Sequence, residues 1–396
     1  MSTPTMTPGA GAGAGAGADP GTTTETKPRQ RKLSEIPGVE LEVVRPSSPR
    51  PALITLGLTA ASAVALVVLG LNPALALAAA FIAYLIAVYA VYRRASGPRV
   101  AADQVVRGLV GGAFVIAVIP LLSLLWTVVS KGAATAFDPG FLTQTMNGVT
   151  GLQDQATQRD GAPMVGGAYH AILGTLIITG IAAVISVPIG LFTAIYLVEY
   201  QPKGRLASMI RFLVDVMTGI PSIVAGLFAF ALWAVLFGVG TKNGAAGAVA
   251  LAVLMIPTVV RNSEEMLRIV PNELREASLA LGVPQWRTIA KVVLPTAVSG
   301  LASGVTLAIA RVIGETAPLL VAVGYARGLN VDPTSGPMNT LAVYAYYMFT
   351  KPLSPGFREP SLDRAWAAAL LLVIIVVLLN LVARLIARAF APKTSR

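Results

Sequence analysis

Arg311 and Glu315 stand four positions apart inside an otherwise apolar run, a spacing that puts both on one face of a helix. Charged side chains within such a run are rare, and they normally face a bundle interior or an aqueous path. The competing reading is a pair that only neutralises itself. Arginine ahead of glutamate is the weaker order, and such a pair contributes roughly 0.2–0.5 kcal/mol in water, far below the cost of dehydrating both charges. Both residues are therefore candidates for a pathway or a gate. Arg261, at the end of an earlier apolar run, is a third candidate, against the alternative of an arginine that snorkels to the interface.

A second group of residues suits docking. Within the polar segment 264–295, Pro271 is followed by Asn272, Glu273, Arg275 and Glu276, which favours a helix start because proline needs no donor there and acids oppose the dipole. Gly282 allows a left-handed turn. Pro284 restarts the chain, and Trp286, Ile289, Val292 and Val293 fall near helical spacing toward Leu294 and Pro295. The unit reads as helix, sharp turn, helix. Its Ala277, Ser278, Ala280 and Gly282 form a small-residue face that can sit closely in a groove of another chain.

Other chemistries are excluded by composition. The chain has no cysteine, so it offers no disulfide frame, thiolate site or cysteine nucleophile, and its single histidine, His170, argues against a histidine-based metal site. No G-x-x-x-x-G-K-[ST] sequence is present, so nucleoside triphosphate is not bound in the P-loop manner. His170, beside Tyr169 at a helix start, is expected at an interface. Asp215 is expected to pair with Arg211 at i,i+4.

The elements that must position these residues are membrane helices. With 55% hydrophobic residues, 12% charged residues and a mean hydropathy of +0.71, most of the chain is solvated by lipid. The net charge of +11 is then a topology signal, since Lys and Arg gather in cytoplasmic loops, and nucleic acid is not expected as a partner. Residues 1–50, rich in Gly, Ala, Thr and Pro, read as a disordered cytoplasmic tail whose basic residues set orientation. Two apolar runs, 52–71 and 73–92, suggest a transmembrane hairpin over 51–95. Six further spans are expected at 109–129, 171–200, 212–238, 245–260, 295–324 and 365–385, making eight in an all-α polytopic bundle. The segments 131–167 and 325–364 are placed outside, with an amphipathic or re-entrant helix at 338–349 that sets Tyr344, Tyr346 and Tyr347 at the outer interface. Both termini fall in the cytoplasm.

The motif Glu276-Ala277-Ser278, with Gly282 after it and Leu294-Pro295 closing the segment, resembles the cytoplasmic "EAA" loop of permease subunits of binding-protein-dependent ABC importers; Ser278 stands where alanine is usual. The stretches 311–320, 218–226 and 194–200 are similar to corresponding parts of PstA-type phosphate permeases, and the resemblance covers about 105–390. It implies a six-helix permease core, with the N-terminal hairpin as an addition. It also implies a bacterial cytoplasmic membrane, a PstC-type partner permease, a PstB-type ATPase dimer that binds ATP and Mg, and a PstS-type phosphate-binding protein; this chain itself carries no cofactor and is not an enzyme. Glu276, Ala277, Ser278, Gly282, Leu294 and Pro295 would then couple to the ATPase. For phosphate, the Arg311 guanidinium offers parallel donors to two oxygens. The Glu315 carboxylate can accept from a P–OH group, a proton that sulfate lacks. Another oxyanion, such as sulfate or molybdate, and a proton-coupled secondary carrier using Glu315 are the alternatives.

Overall fold

The computed structural model describes residues 50–68, 70 and 72–390, all helices and connections with no strand. The tail expected over 1–50 lies outside the described residues except for Arg50. The chain divides into two compact units, 1–115 and 116–396.

In the first unit, α1 (Arg50–Val68) packs against α2 (Pro73–Ser96) as a hairpin. The Asn72 side chain accepts the Ala74 N–H and Pro73 stands in the first turn, so the second arm starts on a capped, pre-set backbone. Val88 and Tyr92 bury against Ala101 in the first part of α3 (Pro98–Ala136).

The second unit holds the rest of α3, then α4 (Pro139–Thr143), α5 (Gly151–Asp160), α6 (Tyr169–Ile195), α7 (Arg205–Thr218), α8 (Ser222–Phe237) and α9 (Gly244–Ile269). It continues with α10 (Asn272–Ala280), α11 (Gln285–Thr288), α12 (Leu294–Val312), α13 (Ala317–Ala322), α14 (Leu341–Thr350) and α15 (Glu359–Phe390). Two π turns, Tyr196–Tyr200 and Ile289–Val293, extend α6 and join α11 to α12. Long helices with unbroken apolar runs bury little of their own surface, as lipid-facing helices do, whereas α9 is the most enclosed.

Among the described residues six helical segments are long and apolar enough to cross a bilayer: Pro73–Ser96, Pro98–Ala136, Tyr169–Tyr200, Gly244–Ile269, Gln285–Val312 and Glu359–Leu385. A seventh exists if α7 and α8 count as one broken span. The expected eight is not reached because the apolar part of α1, Leu53–Val68, is short and because α7 and α8 meet at 104°. Pro221, which lacks the N–H that would continue the ladder, stands at that bend.

Three apolar clusters succeed one another along α6, the first shared with α14 and α15 and the other two with α9 and α12. Phe141, Met146, Tyr344 and Leu371 fill one end, Ile178, Leu251, Met255 and Leu319 the middle, and Ile195, Leu267, Ile289 and Val293 the other. Glycine permits the closest approaches: a Cβ on Gly174 would lie 1.9 Å from the Asn339 carbonyl oxygen, and one on Gly226 would lie 2.5 Å from Pro318 Cα. The helix expected over 338–349 forms as α14, but Tyr344 is fully buried instead of interfacial. Its ring packs on His170 and Phe141, which is a better place for an aromatic face than water.

Candidate functional site

Two helix breaks meet around one polar cavity. The first is the α7/α8 bend; at the second, α12 ends at Val312 and the chain turns through Gly314, Glu315 and Thr316 before Pro318 sets the first turn of α13. Between the breaks and α9 lies a cavity of about 240 Å³ lined by Thr218, Ser222, Thr258, Arg311 and Glu315, among others. Glu315 has left the helix, so the expectation of one continuous helical face for Arg311 and Glu315 is not met. The tertiary fold nonetheless brings both to the same cavity.

Neither Arg311 nor Glu315 makes an ion pair among the described residues. No hydrogen bond among those residues engages the Ser222 or Thr258 hydroxyls, whereas Thr218 Oγ1 donates to the Val214 carbonyl at 2.8 Å. Ser222 is also the first residue of α8, whose N-terminus has no side-chain cap. The positive end of the helix dipole therefore lies at the wall of a cavity that Arg311 also lines. The combination favours an anion with several oxygens.

Arg261 is placed elsewhere. It pairs with Asp215, and both line a second cavity of about 240 Å³ together with Arg211, Glu264 and Arg268. Arg211 does not pair with Asp215 as its spacing suggests. Its guanidinium donates to Glu264 at 2.9 Å and to the carbonyls of Leu197 and Pro202 at 2.9 and 2.8 Å, because the turn after α6 brings these acceptors across its path.

The polar segment forms the expected helix, turn and helix. Gly282 has φ +76°, the left-handed conformation that ends α10, and the Ser278 and Thr288 hydroxyls are hydrogen-bonded across the turn at 2.9 Å. Glu276, Ala277 and Ser278 lie on α10, which buries no residue. Leu281 and Trp286 are 83% and 59% exposed. The second helix does not stop at Leu294 and Pro295 but runs into α12; the Leu294 N–H donates to the Ile289 carbonyl in a π turn immediately before the proline. Widening the helix there accommodates a residue with no donor.

At the opposite end of α6, residues that gave no signal in the sequence form a buried polar knot. Arg364 and Asp154 are both fully buried, with Arg364 Nη2 donating to Asp154 Oδ1 at 2.7 Å and Nη1 to Oδ2 at 3.1 Å. The Ser361 hydroxyl donates to the same carboxylate at 2.9 Å, and Arg364 also donates to the Val165 carbonyl. His170, expected at an interface, is buried beside Asn339, with Nε2 and Nδ2 3.3 Å apart. Nearby, Tyr325 stacks on Tyr347 with ring centroids 4.2 Å apart, and burial pushes its hydroxyl up to about 12.

Residues 186–396 match the family described as "Binding-protein-dependent transport system inner membrane component". The chain is 48% identical to phosphate transport system permease protein PstA 1 of Mycobacterium tuberculosis (strain CDC 1551 / Oshkosh), over 69% of this chain and 84% of the relative. It is 46% identical to PstA of Mycobacterium leprae (strain TN), over 68% and 83% of the two chains. With PstA of Pasteurella multocida (strain Pm70) the identity is 37%, over 69% and 88%. On the breadth of these matches, this chain belongs to the family of binding-protein-dependent transport system inner membrane components.

Proposed function

We propose that this chain is a permease subunit of an ATP-driven importer that carries inorganic phosphate across the bacterial cytoplasmic membrane. The relatives are named for phosphate transport, and the observation that carries the reading for this chain is the cavity where unpaired Arg311 and Glu315 face Ser222, Thr258 and the start of α8. Arg311 would hold two phosphate oxygens and the hydroxyls and amides the others. Glu315 would accept a hydrogen bond from P–OH and repel a fully ionised sulfate. The importer would comprise a PstC-type permease, a PstB-type ATPase dimer that binds ATP and Mg, and a PstS-type phosphate-binding protein. The segment around Glu276, Ala277, Ser278 and Gly282, exposed and bearing Leu281 and Trp286 on its surface, is suited to dock in the ATPase. Both termini and this segment would face the cytoplasm.

The test is radiolabelled phosphate uptake by the complete importer, with sulfate as competitor. Arg311→Ala should lower uptake about tenfold or more, the size expected when charged hydrogen bonds worth about 1.5–3 kcal/mol are lost. Glu315→Gln should let sulfate compete at equal membrane levels. Uptake and selectivity that are unchanged in both variants would remove phosphate from this cavity.

A further inference from the structure

We infer that Arg275 is a positioning residue that bolts the coupling segment to two membrane helices, so that a displacement of α10 is delivered to α6 and α9 together. The inference rests on the coupling role proposed above for the segment. Three elements converge on this one guanidinium. Its Nε lies 3.1 Å from both Glu199 carboxylate oxygens and its Nη2 donates to Glu199 Oε1 at 2.7 Å, so the π turn that ends α6 is gripped in bidentate fashion. The same guanidinium donates to the carbonyls of Leu267, in the last turn of α9, and Val270, its C-cap, at 2.8 and 2.5 Å. The Gln285 amide, across the Gly282 turn, donates to the Glu199 carbonyl. Glu199 is only 6% exposed and Arg275 15%, so the pair lies largely out of bulk solvent at the wall of a cavity of about 290 Å³.

The π turns give the bolt its place. In a regular α-helix a residue at 199 would point about 100° per step around the axis from its neighbours; the wider Tyr196–Tyr200 turn, closed by the Gln201 N–H on the Tyr196 carbonyl, re-aims Glu199 toward α10. The second π turn, Ile289–Val293, packs on Ile195, Leu267 and Val270 beside it. A rigid polar clasp over an apolar contact transmits force better than either alone, because sliding would strand a buried carboxylate.

The experiment uses the complete importer with Arg275→Ala, Arg275→Lys, Glu199→Gln and the exchange R275E/E199R. Phosphate uptake and ATP hydrolysis are measured on the same samples, along with ATPase co-purification. The chain has no cysteine, so a spin-label pair at Tyr200→Cys and Glu273→Cys, the latter exposed on α10, can report the distance across the joint with and without ATP. The expected result is retained ATPase binding and hydrolysis, at least a tenfold fall in phosphate moved per ATP in Arg275→Ala, a smaller fall in Arg275→Lys, partial rescue by the exchange, and a label distance that broadens only in the single variants. An unchanged distance distribution and unchanged uptake per ATP in Arg275→Ala would overturn the inference. Loss of ATPase binding in Arg275→Ala would overturn it too, since the residue would then serve docking. If the unmodified importer moves no phosphate, the substrate reading fails, while the label distance still decides the joint.

Discussion

Single residues divide into those that carry charge where lipid should be and those that acquire a role only from their neighbours. Arg311 and Glu315 belong to the first kind, because an ionisable group in an apolar run has few structural excuses. Asp154 and Arg364 belong to the second: 210 positions separate them, each is unremarked in its own loop or helix end, and they meet fully buried. Removing one partner of such a pair leaves an uncompensated buried charge. Asp154→Ala is therefore expected to destabilise the fold by about 3–5 kcal/mol, seen as a lowered thermal midpoint in detergent, whereas Arg107→Ala, whose partner Asp103 is exposed, should change it little. Equal midpoints would mean that the knot adds nothing to stability. Ser222 and Thr258 could not be picked out from sequence, since a hydroxyl in a membrane helix is ordinary until something shows what it faces.

At the scale of elements, the breaks matter more than the helices. Gly219 and Pro221 announce an interruption, yet its size, 104°, and the turning of the α8 N-terminus into a cavity follow from packing on α9 and α13. The stop in α12 after Val312 is marked in sequence only by Gly314 and Pro318 beyond it, and the apolar run favours a single long span over 295–324. The helix ends there because Pro318 starts a new one, close against Gly226 of α8. Gly282 is legible in both ways: as a turn residue in sequence, and at φ +76° in the fold. Nothing crowds a side chain there, so the cost of replacing it is backbone strain, about 1–2 kcal/mol for an L-residue in the left-handed region. Gly282→Arg should leave the membrane bundle intact while lowering both phosphate uptake and ATPase co-purification; unaltered values for both would reduce the segment to a connector.

For the molecule as a whole, the second unit contains its own succession of apolar clusters and both polar cavities around α7 and α9, and the sequence holds no P-loop, so the proposed ATP drive calls for a partner. Uptake should accordingly cease when ATP is depleted at constant proton gradient, and should persist when an uncoupler collapses the gradient at constant ATP. The reverse pattern would favour a carrier driven by protons through Glu315. This prediction belongs to the assembly, because no side chain in this subunit distinguishes the two drives by itself.

The sequence alone determined the lipid environment, the all-helical class, the place of the exposed helix–turn–helix and the unusual charges at Arg311 and Glu315. Each of these is a local or periodic property, read from residues within a few turns of one another. Only the tertiary structure decided that Glu315 leaves its helix yet shares a cavity with Arg311, that Arg261 turns instead to Asp215, and that Arg275 grips Glu199 and the end of α9 at once. For Arg261 and Arg275 the physical reason is the same. A charged side chain settles against whichever opposite charge or orphaned backbone group the packed helices bring within about 3 Å, and sequence distance does not measure that separation.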